Sequence, residues 1–161
     1  MEAGVITISD RGFRGDREDL SGREIITLLK DIGVIIAHTK IIPDEQGEIR
    51  DTLIDCADRK NLALIITTGG TGVGPRDVTP DATREIIDKE VPGMAEAMRR
   101  ASAAKTPHAM ISRAVVGIRG TSLIVNLPGS PRAVRENLAV ILPALKHAVE
   151  KIRGDDSECA S

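Results

Sequence analysis

Short apolar runs alternate with longer amphipathic stretches along the chain, and this alternation predicts strands that alternate with helices. The four apolar runs that predict strands are residues 3–8, 34–42, 62–66 and 122–127. Strands that are almost continuously apolar, with helices between them, favour a parallel sheet that is covered on both faces. We therefore expect an α/β protein of three layers, α/β/α, with a mostly parallel sheet. A single domain, residues 1–153, is expected to contain this fold, followed by a polar tail, residues 154–161.

Capping signals mark several helix starts in the sequence. Ser21 and Glu24 have the spacing of a capping box, in which the serine accepts from a first-turn amide and the glutamate reaches back. Thr79 and Ser130 are each followed by proline, which is typical of an N-cap and the first helical residue. These signals predict the starts of the helices that follow the first, third and fourth strands.

Three positions are open to two interpretations. Asp44 precedes a predicted helix over residues 44–60, and taken alone it favours a helix cap over a ligand. Pro143 predicts a kink or a break in the last helix. In the segment 106–121, residues 114–118 fit either an additional strand or irregular structure.

Composition limits the classes of function. The chain has 161 residues, a formal net charge of −2 and one aromatic residue, Phe13. Without a basic surface or aromatic side chains for base stacking, no nucleic acid partner is expected. No apolar stretch approaches the ~20 residues of a membrane span and no signal peptide is visible, so no membrane partner is expected. Cys56 and Cys159 lie far apart without a metal-ligand spacing, which favours a reduced, cytoplasmic protein.

Polar residues and glycines follow all four predicted strands. The four segments are Ser9-Asp10-Arg11-Gly12, Pro43-Asp44-Glu45, the loop from Thr68 to Asp77, and Pro128-Gly129-Ser130-Pro131. In an open parallel sheet, ligands bind outside the carboxyl ends of the strands, so these segments are expected to meet at one edge. Each segment alone also fits a turn or a cap, but their joint occurrence favours a binding site.

The segment after the third strand carries the strongest signal. It contains Gly69, Gly70, Gly72 and Gly74, followed by Arg76 and Asp77. Glycine loops let backbone amides approach an anion closely, and a carboxylate beside a phosphate site suits a divalent cation. The loop lacks the lysine of a Walker A loop and the spacing of a dinucleotide fingerprint. Asp77 alone also fits an exposed charge or an ion pair with Arg76. Further along, Ser112 and Arg113 could contact a phosphate or belong to a surface loop.

Several motifs resemble those of the molybdenum-cofactor biosynthesis family, which includes bacterial Mog and MoaB proteins and the gephyrin G domain. The motifs are Thr67-Thr68-Gly69-Gly70-Thr71-Gly72, Pro75 to Ala82, Ile42-Pro43-Asp44-Glu45, Ser112-Arg113, Gly117-Ile118-Arg119-Gly120 and Asn126 to Pro131. They lie in the family's order and span residues 5–153. One MoaB subgroup departs from the family pattern at positions where this chain keeps Arg76, Thr79 and Pro80. The chain therefore resembles the Mog and G-domain branch more.

The resemblance implies a molybdopterin adenylyltransferase. Such an enzyme joins the terminal phosphate of molybdopterin to the AMP part of ATP and releases pyrophosphate. The resemblance also implies Mg²⁺, a homotrimer and a separate molybdenum insertase that uses the product. The family's two functional aspartates fall on Asp44 and Asp77, which are the expected metal ligands, and its functional serine falls on Ser112. These three residues are expected to be catalytic.

The remaining site residues are expected to bind the two small-molecule substrates. They are Ser9, Asp10, Thr68, Gly69, Gly70, Thr71, Gly72, Arg76, Arg113, Pro128, Gly129 and Ser130. In this hypothesis the loop amides and Arg113 contact phosphates, and the helix start at Ser130 binds polar ligand groups.

Two alternatives belong to other classes of protein. One is a carrier or scaffold that binds molybdopterin without catalysing transfer. The other is a dinucleotide or nucleotide-sugar enzyme, which is disfavoured because Ser9-Asp10-Arg11-Gly12 replaces the glycine fingerprint expected after the first strand.

Overall fold

A six-stranded sheet forms the centre of the molecule in the computed structural model, which describes residues 1–154. In chain order the strands are β1 (Glu2–Ile8), β2 (Ile35–Ile42), β3 (Leu64–Thr68), β4 (Lys89–Glu90), β5 (Val116–Arg119) and β6 (Ser122–Leu127). Their order across the sheet is β2-β1-β3-β6-β5-β4. The predicted polar tail, apart from Gly154, and Cys159 with it lie outside the described residues.

Helices connect most of these strands. They are α1 (Asp10–Phe13), α2 (Leu20–Asp31), α3 (Gln46–Ile54), α4 (Thr79–Ile86), α5 (Pro92–Ala103) and α6 (Pro131–Ile152). A π-helical turn, Asp55–Arg59, continues α3, and a 3₁₀ helix, Pro107–Ile111, follows α5. Over residues 1–154, no helix is both long enough and apolar enough to cross a membrane.

The four strands predicted from the apolar runs are parallel neighbours. β1 pairs with β2 on one side and β3 on the other, and β3 pairs with β6, all in parallel. β5 and β4 extend the sheet at one edge by antiparallel pairing. The prediction of a mostly parallel sheet is confirmed, and the ambiguous segment contributes the strand β5.

Helices cover both faces of the sheet. Leu29, Met98 and Leu138, from α2, α5 and α6, are buried in the core on one face. Leu53 and Ile86, from α3 and α4, are buried in the core on the other face. Burial of one such side chain contributes about 1.5–3 kcal/mol. The predicted three-layer fold is confirmed, and the two cores fix the strand ends that carry the polar segments.

Two of the predicted helix caps are wrong. Asp19, rather than Ser21, caps α2, because its carboxylate accepts a hydrogen bond from a first-turn amide at 2.8 Å. The hydroxyl of Ser21 donates instead to the carbonyl of Gly129 at 2.7 Å. Thr79 is the first residue of α4 rather than its cap, and its hydroxyl donates to the carbonyl of Gly69 at 2.9 Å. In both cases a loop carbonyl at the carboxyl edge of the sheet binds the hydroxyl.

The other helix predictions have mixed outcomes. Ser130 caps α6, as predicted, and accepts from a first-turn amide at 3.2 Å. Glu45 occupies the N-cap position of α3, so Asp44 is not a helix cap. Glu24, the second member of the predicted capping box, pairs with an arginine of α6. Pro143 lies inside α6, which continues through it without a break.

Candidate active site

The polar segments that follow β1, β2, β3 and β6 meet at one edge of the sheet, as predicted. The amide of Ser9 donates to the carbonyl of Ile42 at 2.9 Å, which joins the first segment to the end of β2. The amide of Gly69 donates to the carbonyl of Leu127 at 3.1 Å. This bond joins the loop from Thr68 to Asp77, the glycine loop, to the end of β6. The carboxyl ends of the parallel strands therefore form a single site.

The glycine loop after β3 packs so closely on its neighbours that a side chain has no room. Gly69 has a φ of +100° and Gly70 a φ of +64°. A Cβ on Gly69 would lie 2.2 Å from the carbonyl oxygen of Ile8, and one on Gly70 would lie 2.4 Å from Thr79 Oγ1. Only glycine fits these two positions, for both conformational and steric reasons.

Three consecutive amides of the glycine loop are available to a ligand. Among the described residues, no acceptor binds the amides of Gly70, Thr71 and Gly72. Backbone amides that lose water must gain another partner, and consecutive free amides attract anions. This arrangement suits a phosphate group.

Asp10 and Asp44 are joined by a reciprocal pair of hydrogen bonds. The amide of Asp10 donates to Asp44 Oδ2 at 2.8 Å, and the amide of Asp44 donates to Asp10 Oδ1 at 3.0 Å. Arg76 donates to both carboxylate oxygens of Asp10 at 3.0 and 3.1 Å, and to Glu45 at 2.8 Å. Arg76 thus connects the segment after β3 to the first two segments, and it does not pair with Asp77.

The pKa values of the two joined aspartates shift in opposite directions. Burial is the main cause that raises the pKa of Asp44, and the negative charges of Asp10 and Asp77 add to the rise. The hydrogen bond from the Asp10 amide and the charge of Arg76 oppose it. Hydrogen bonding from Arg76 is the main cause that lowers the pKa of Asp10. A cation beside Asp44 would relieve the repulsion, so the site favours a cation there.

Asp44 and Asp77 both border the glycine loop. Asp77 accepts from the amide of Gly74 at 2.8 Å, and a Cβ on Gly72 would lie 2.8 Å from Asp77 Oδ2. A Cβ on Gly70 would lie 3.1 Å from Asp44 Oδ1. Among the described residues, no group of three or more His, Cys, Asp or Glu side chains could hold a metal ion. Carboxylates beside a phosphate loop instead fit Mg²⁺, which commonly binds one or two carboxylates together with substrate phosphates.

The glycine loop forms part of the wall of two cavities. The larger has a volume of about 420 Å³, and its lining includes Ser9, Asp44, Gly69, Gly70 and Ser130. The smaller has a volume of about 250 Å³, and its lining includes Thr71, Gly72, Ser112 and Asn137. Adjacent residues of one loop therefore face two separate spaces.

A still larger cavity lies at the opposite edge of the sheet. Its volume is about 980 Å³, and its lining includes Glu2, Val34 and Ala63, which lie at or just before the starts of the parallel strands. Ligands of open parallel sheets bind at the carboxyl ends instead. None of the predicted site residues lines this cavity, so the two cavities beside the glycine loop form the candidate site.

Arg113 supports the glycine loop from outside the cavities. Its guanidinium donates to the carbonyls of Gly72 and Asp77 and to both carboxylate oxygens of Asp81, the latter at 2.9 and 3.0 Å. These bonds use most of its N–H donors. Arg113 therefore contacts the loop itself and is not in the lining of either cavity, whereas Ser112 lines the smaller one. The phosphate contact of Arg113 stays a prediction.

The segment after β6 places a helix start beside the larger cavity. The carbonyls of Pro128 and Gly129 accept from the hydroxyls of Thr68 and Ser21, both at 2.7 Å. These bonds fix the backbone just before Ser130, the cap of α6. The free amides and the dipole at such a helix start favour a negatively charged group.

The buried polar residues beneath the site are not among the site residues predicted from the sequence. The side-chain amide of Asn126 donates to Thr67 and Thr83, both at 3.0 Å, and its oxygen accepts from the amide of Val115 at 3.1 Å. A buried asparagine needs such partners, because an unpaired polar group is costly in the core. The signal in the sequence is an asparagine inside the apolar run 122–127.

The fold and the site define an α/β protein with a loop suited to phosphate at the carboxyl edge of a parallel sheet. Residues 4–147 match the family described as "Probable molybdopterin binding domain", and the chain belongs to this family. The matched range contains every residue of the candidate site.

Known proteins are similar to this chain over nearly its whole length. The molybdopterin adenylyltransferase of Helicobacter pylori strain J99 is 42% identical over 157 residues, which cover 96% of this chain and 89% of that protein. The molybdopterin biosynthesis enzyme MoaB from Thermus thermophilus is 48% identical, with a TM-score of 0.89 and coverage of 95% and 96% of the two chains. A structure of MogA is 37% identical, with a TM-score of 0.90 and coverage of 94% and 99%. The predicted family is confirmed.

Proposed function

We propose that the chain is a molybdopterin adenylyltransferase of molybdenum cofactor biosynthesis. The reaction joins the terminal phosphate of molybdopterin to the AMP part of ATP and releases pyrophosphate. The observation that carries the proposal is the glycine loop, whose free amides at Gly70, Thr71 and Gly72 border two cavities. Transfer between two phosphate-bearing substrates requires an anion-binding element that both can reach, and alignment of the reacting groups.

The charged groups around the loop have distinct roles in this proposal. The loop amides bind phosphate and reduce the repulsion between two polyanions. Asp44 and Asp77 would hold Mg²⁺, which neutralises phosphate charge and orients the leaving pyrophosphate when it is bound. Arg76 holds Asp10, and Asp10 in turn holds Asp44 through the reciprocal hydrogen bonds. The Asp44 carboxylate therefore keeps its position at the loop.

The two cavities receive different substrates in this proposal. Ser112 lines the smaller cavity, so we assign the phosphate end of molybdopterin to it. The nucleotide then occupies the larger cavity, where the helix start at Ser130 can bind its polar groups.

The test measures AMP transfer from ATP to molybdopterin, and the release of pyrophosphate is its readout. We expect Asp77→Asn to lower the rate by about 100-fold or more, which is typical when a group that stabilises developing charge is removed. Asp88→Asn is the matched control, because Asp88 accepts from the amide of Gly120 at 2.7 Å, as Asp77 does from that of Gly74 at 2.8 Å. A wild-type rate in Asp77→Asn contradicts its assignment, and no transfer by the wild-type chain contradicts the activity.

A carrier that binds molybdopterin without transfer is the second candidate. The observation that favours it is the description of the matched family, which names molybdopterin binding and no transfer. The pair Asp44 and Asp77 favours the enzyme, because a carrier does not require two carboxylates beside a phosphate loop. Tight binding of molybdopterin by the wild-type chain, without pyrophosphate release, would identify a carrier.

Assembly and location are proposed from the family resemblance and the cysteine usage. We propose a homotrimer that passes its product to a separate molybdenum insertase in the cytoplasm. Sedimentation velocity tests the assembly, and the expected species has three times the 17.2 kDa mass of one chain. A monomer at micromolar concentration would contradict the trimer.

A further inference from the structure

Thr79 lies directly beneath the glycine loop and is fully buried, with no exposed surface. Its hydroxyl donates to the carbonyl of Gly69 at 2.9 Å, and its backbone amide donates to the carbonyl of Gly70 at 3.1 Å. One residue therefore holds two consecutive carbonyls of the loop. Because Thr79 is buried, it does not reach a ligand in either cavity.

Holding these carbonyls also sets the direction of two ligand-facing amides. In a planar trans peptide, the C=O of one residue and the N–H of the next point in opposite directions. The carbonyl of Gly69 shares a peptide plane with the amide of Gly70, and the carbonyl of Gly70 shares one with the amide of Thr71. Both amides are among the three that donate no hydrogen bond to any described residue. The two bonds from Thr79 thus turn these amides away from α4.

The start of α4 is itself anchored in the core. The carbonyl of Thr79 accepts from the hydroxyl of Thr83 at 2.9 Å, and Thr83 Oγ1 accepts from the side-chain amide of Asn126 at 3.0 Å. The same amide group donates to Thr67 on β3 at 3.0 Å. Thr79 is therefore held from below by the sheet while it holds the loop above.

We infer that Thr79 is a positioning residue that orients the amides of Gly70 and Thr71 toward phosphate. The inference deepens the proposed function and rests on it for the identity of the phosphate ligands. The hydroxyl of Thr79 forms one of the two hydrogen bonds. The other, from its backbone amide to the carbonyl of Gly70, does not depend on the side chain. Without the hydroxyl, the carbonyl of Gly69 loses its donor and the first peptide plane can rotate.

The test compares Thr79→Val, which has the same shape without the hydroxyl, with Thr79→Ser, which keeps the hydroxyl. The probe is inorganic pyrophosphate with Mg²⁺, and its affinity is measured by calorimetry. We expect Thr79→Val to bind about tenfold more weakly, which matches the loss of one hydrogen bond, and Thr79→Ser to stay within about threefold of wild type. Ser122→Ala is the matched control, because Ser122 is equally buried and its hydroxyl donates to the carbonyl of Leu62 at 2.6 Å, at the start of β6 and away from the loop.

Amide NMR of the wild-type chain provides a second measurement that needs no variant. Pyrophosphate should shift the amide signals of Gly70 and Thr71, and the absence of such shifts overturns the inference even if Thr79→Val fails to fold. Equal affinity of Thr79→Val and wild type also overturns it, as does an equal loss in Ser122→Ala. Selective loss in Thr79→Val supports it. If Thr79→Val selectively loses affinity for pyrophosphate but the wild-type chain transfers no AMP, the positioning role stands and the proposed reaction fails.

Discussion

Asp44 and Asp10 exchange hydrogen bonds through their backbone amides, yet the pKa of Asp44 is raised and that of Asp10 is lowered. Burial is the main cause at Asp44, and hydrogen bonding from Arg76 is the main cause at Asp10. At any pH in the acid range, an aspartate with a raised pKa is protonated to a greater extent than one with the ordinary pKa. As the pH falls, cation binding at Asp44 is therefore expected to weaken at a higher pH than it would at an ordinary aspartate.

The substitution Arg76→Gln should raise the pKa of both aspartates, because the charge of Arg76 lowers both. Carbon-13 NMR of the carboxyl groups across the acid range measures the two shifts. Asp10 contributes stability above its unfolded pKa that is lost as the pH falls through its lower folded pKa, so the variant should lose this contribution. Arg84→Gln is the control, since Arg84 pairs with Glu90 of β4, away from the two aspartates. Unchanged titration of both aspartates in Arg76→Gln would contradict the described network.

Gly69 is the residue at which a single methyl group should be most damaging. In Gly69→Ala, the Cβ would lie 2.2 Å from the carbonyl oxygen of Ile8 at a φ of +100°. Gly15→Ala is matched in conformation, with a φ of +81°, but a Cβ there meets no atom within 4 Å. We expect a loss of about 1 kcal/mol of unfolding free energy for Gly15→Ala and at least about 3 kcal/mol for Gly69→Ala. Urea denaturation measures both, and equal losses would contradict the close approach of β1 and the loop.

At the scale of elements, Arg113 connects the segment before β5 to the glycine loop and to α4. Its planar group binds the carbonyl of Gly72 at 2.8 Å and both oxygens of Asp81. A lysine keeps the charge but has no planar group that can bind both carboxylate oxygens and the carbonyl together. Arg113→Lys is therefore expected to lose about 1–3 kcal/mol of stability and to speed amide hydrogen exchange in residues 72–77.

Arg119 provides the matched control for this prediction. It binds both oxygens of Asp58 and the carbonyl of Ile86 at 2.8 Å, which is a similar combination of contacts, with one carbonyl fewer, away from the glycine loop. Arg119→Lys should lose a similar amount of stability without faster exchange in residues 72–77. Faster exchange there in both variants, or in neither, would show that Arg113 does not specifically hold the loop.

The sequence predicts the elements well where burial alone determines the pattern. β3 and β6 are buried along their whole length, and their apolar runs identify them without further information. β5 has only four residues and includes Gly117, so its sequence carries little periodicity. It forms because β6 offers it an antiparallel partner. A two-residue strand such as β4 has no pattern of its own.

Helix caps and the details of the site depend on contacts that local spacing does not contain. A serine or threonine at a helix start can accept from its own first turn or donate to a distant carbonyl, and the spacing is the same in both cases. Ser21 bonds Gly129, which is 108 positions away, because β1 and β6 carry their loops to one edge. The carboxyl-edge rule predicted which segments meet. It could not predict that Arg113 binds the loop, since that depends on where β5 begins.

For the whole molecule, the strand order decides which edge carries the chemistry. The parallel arrangement brings residues 9–12 and 128–131 to one edge, together with the glycine loop. The cavity of about 980 Å³ lies at the other edge, so volume alone would select the edge opposite the glycine loop. The free loop amides, the Asp44 carboxylate and the helix start at Ser130 lie together at the carboxyl edge.

The gain in unfolding free energy when a ligand binds tests whether the site lies at the carboxyl edge of the sheet. Pyrophosphate with Mg²⁺ should stabilise the fold by about 2.7 kcal/mol at 100 times its Kd, because a ligand of the folded state adds RT ln(1 + [L]/Kd). Chelation of Mg²⁺ should remove most of this gain, and urea denaturation measures it. Asp77→Asn should lose the gain, whereas Lys146→Met, in the lining of the cavity at the amino edge, should keep it. The opposite result would place the anion at the amino edge of the sheet, where the glycine loop cannot reach it, and the proposed reaction would then have no site.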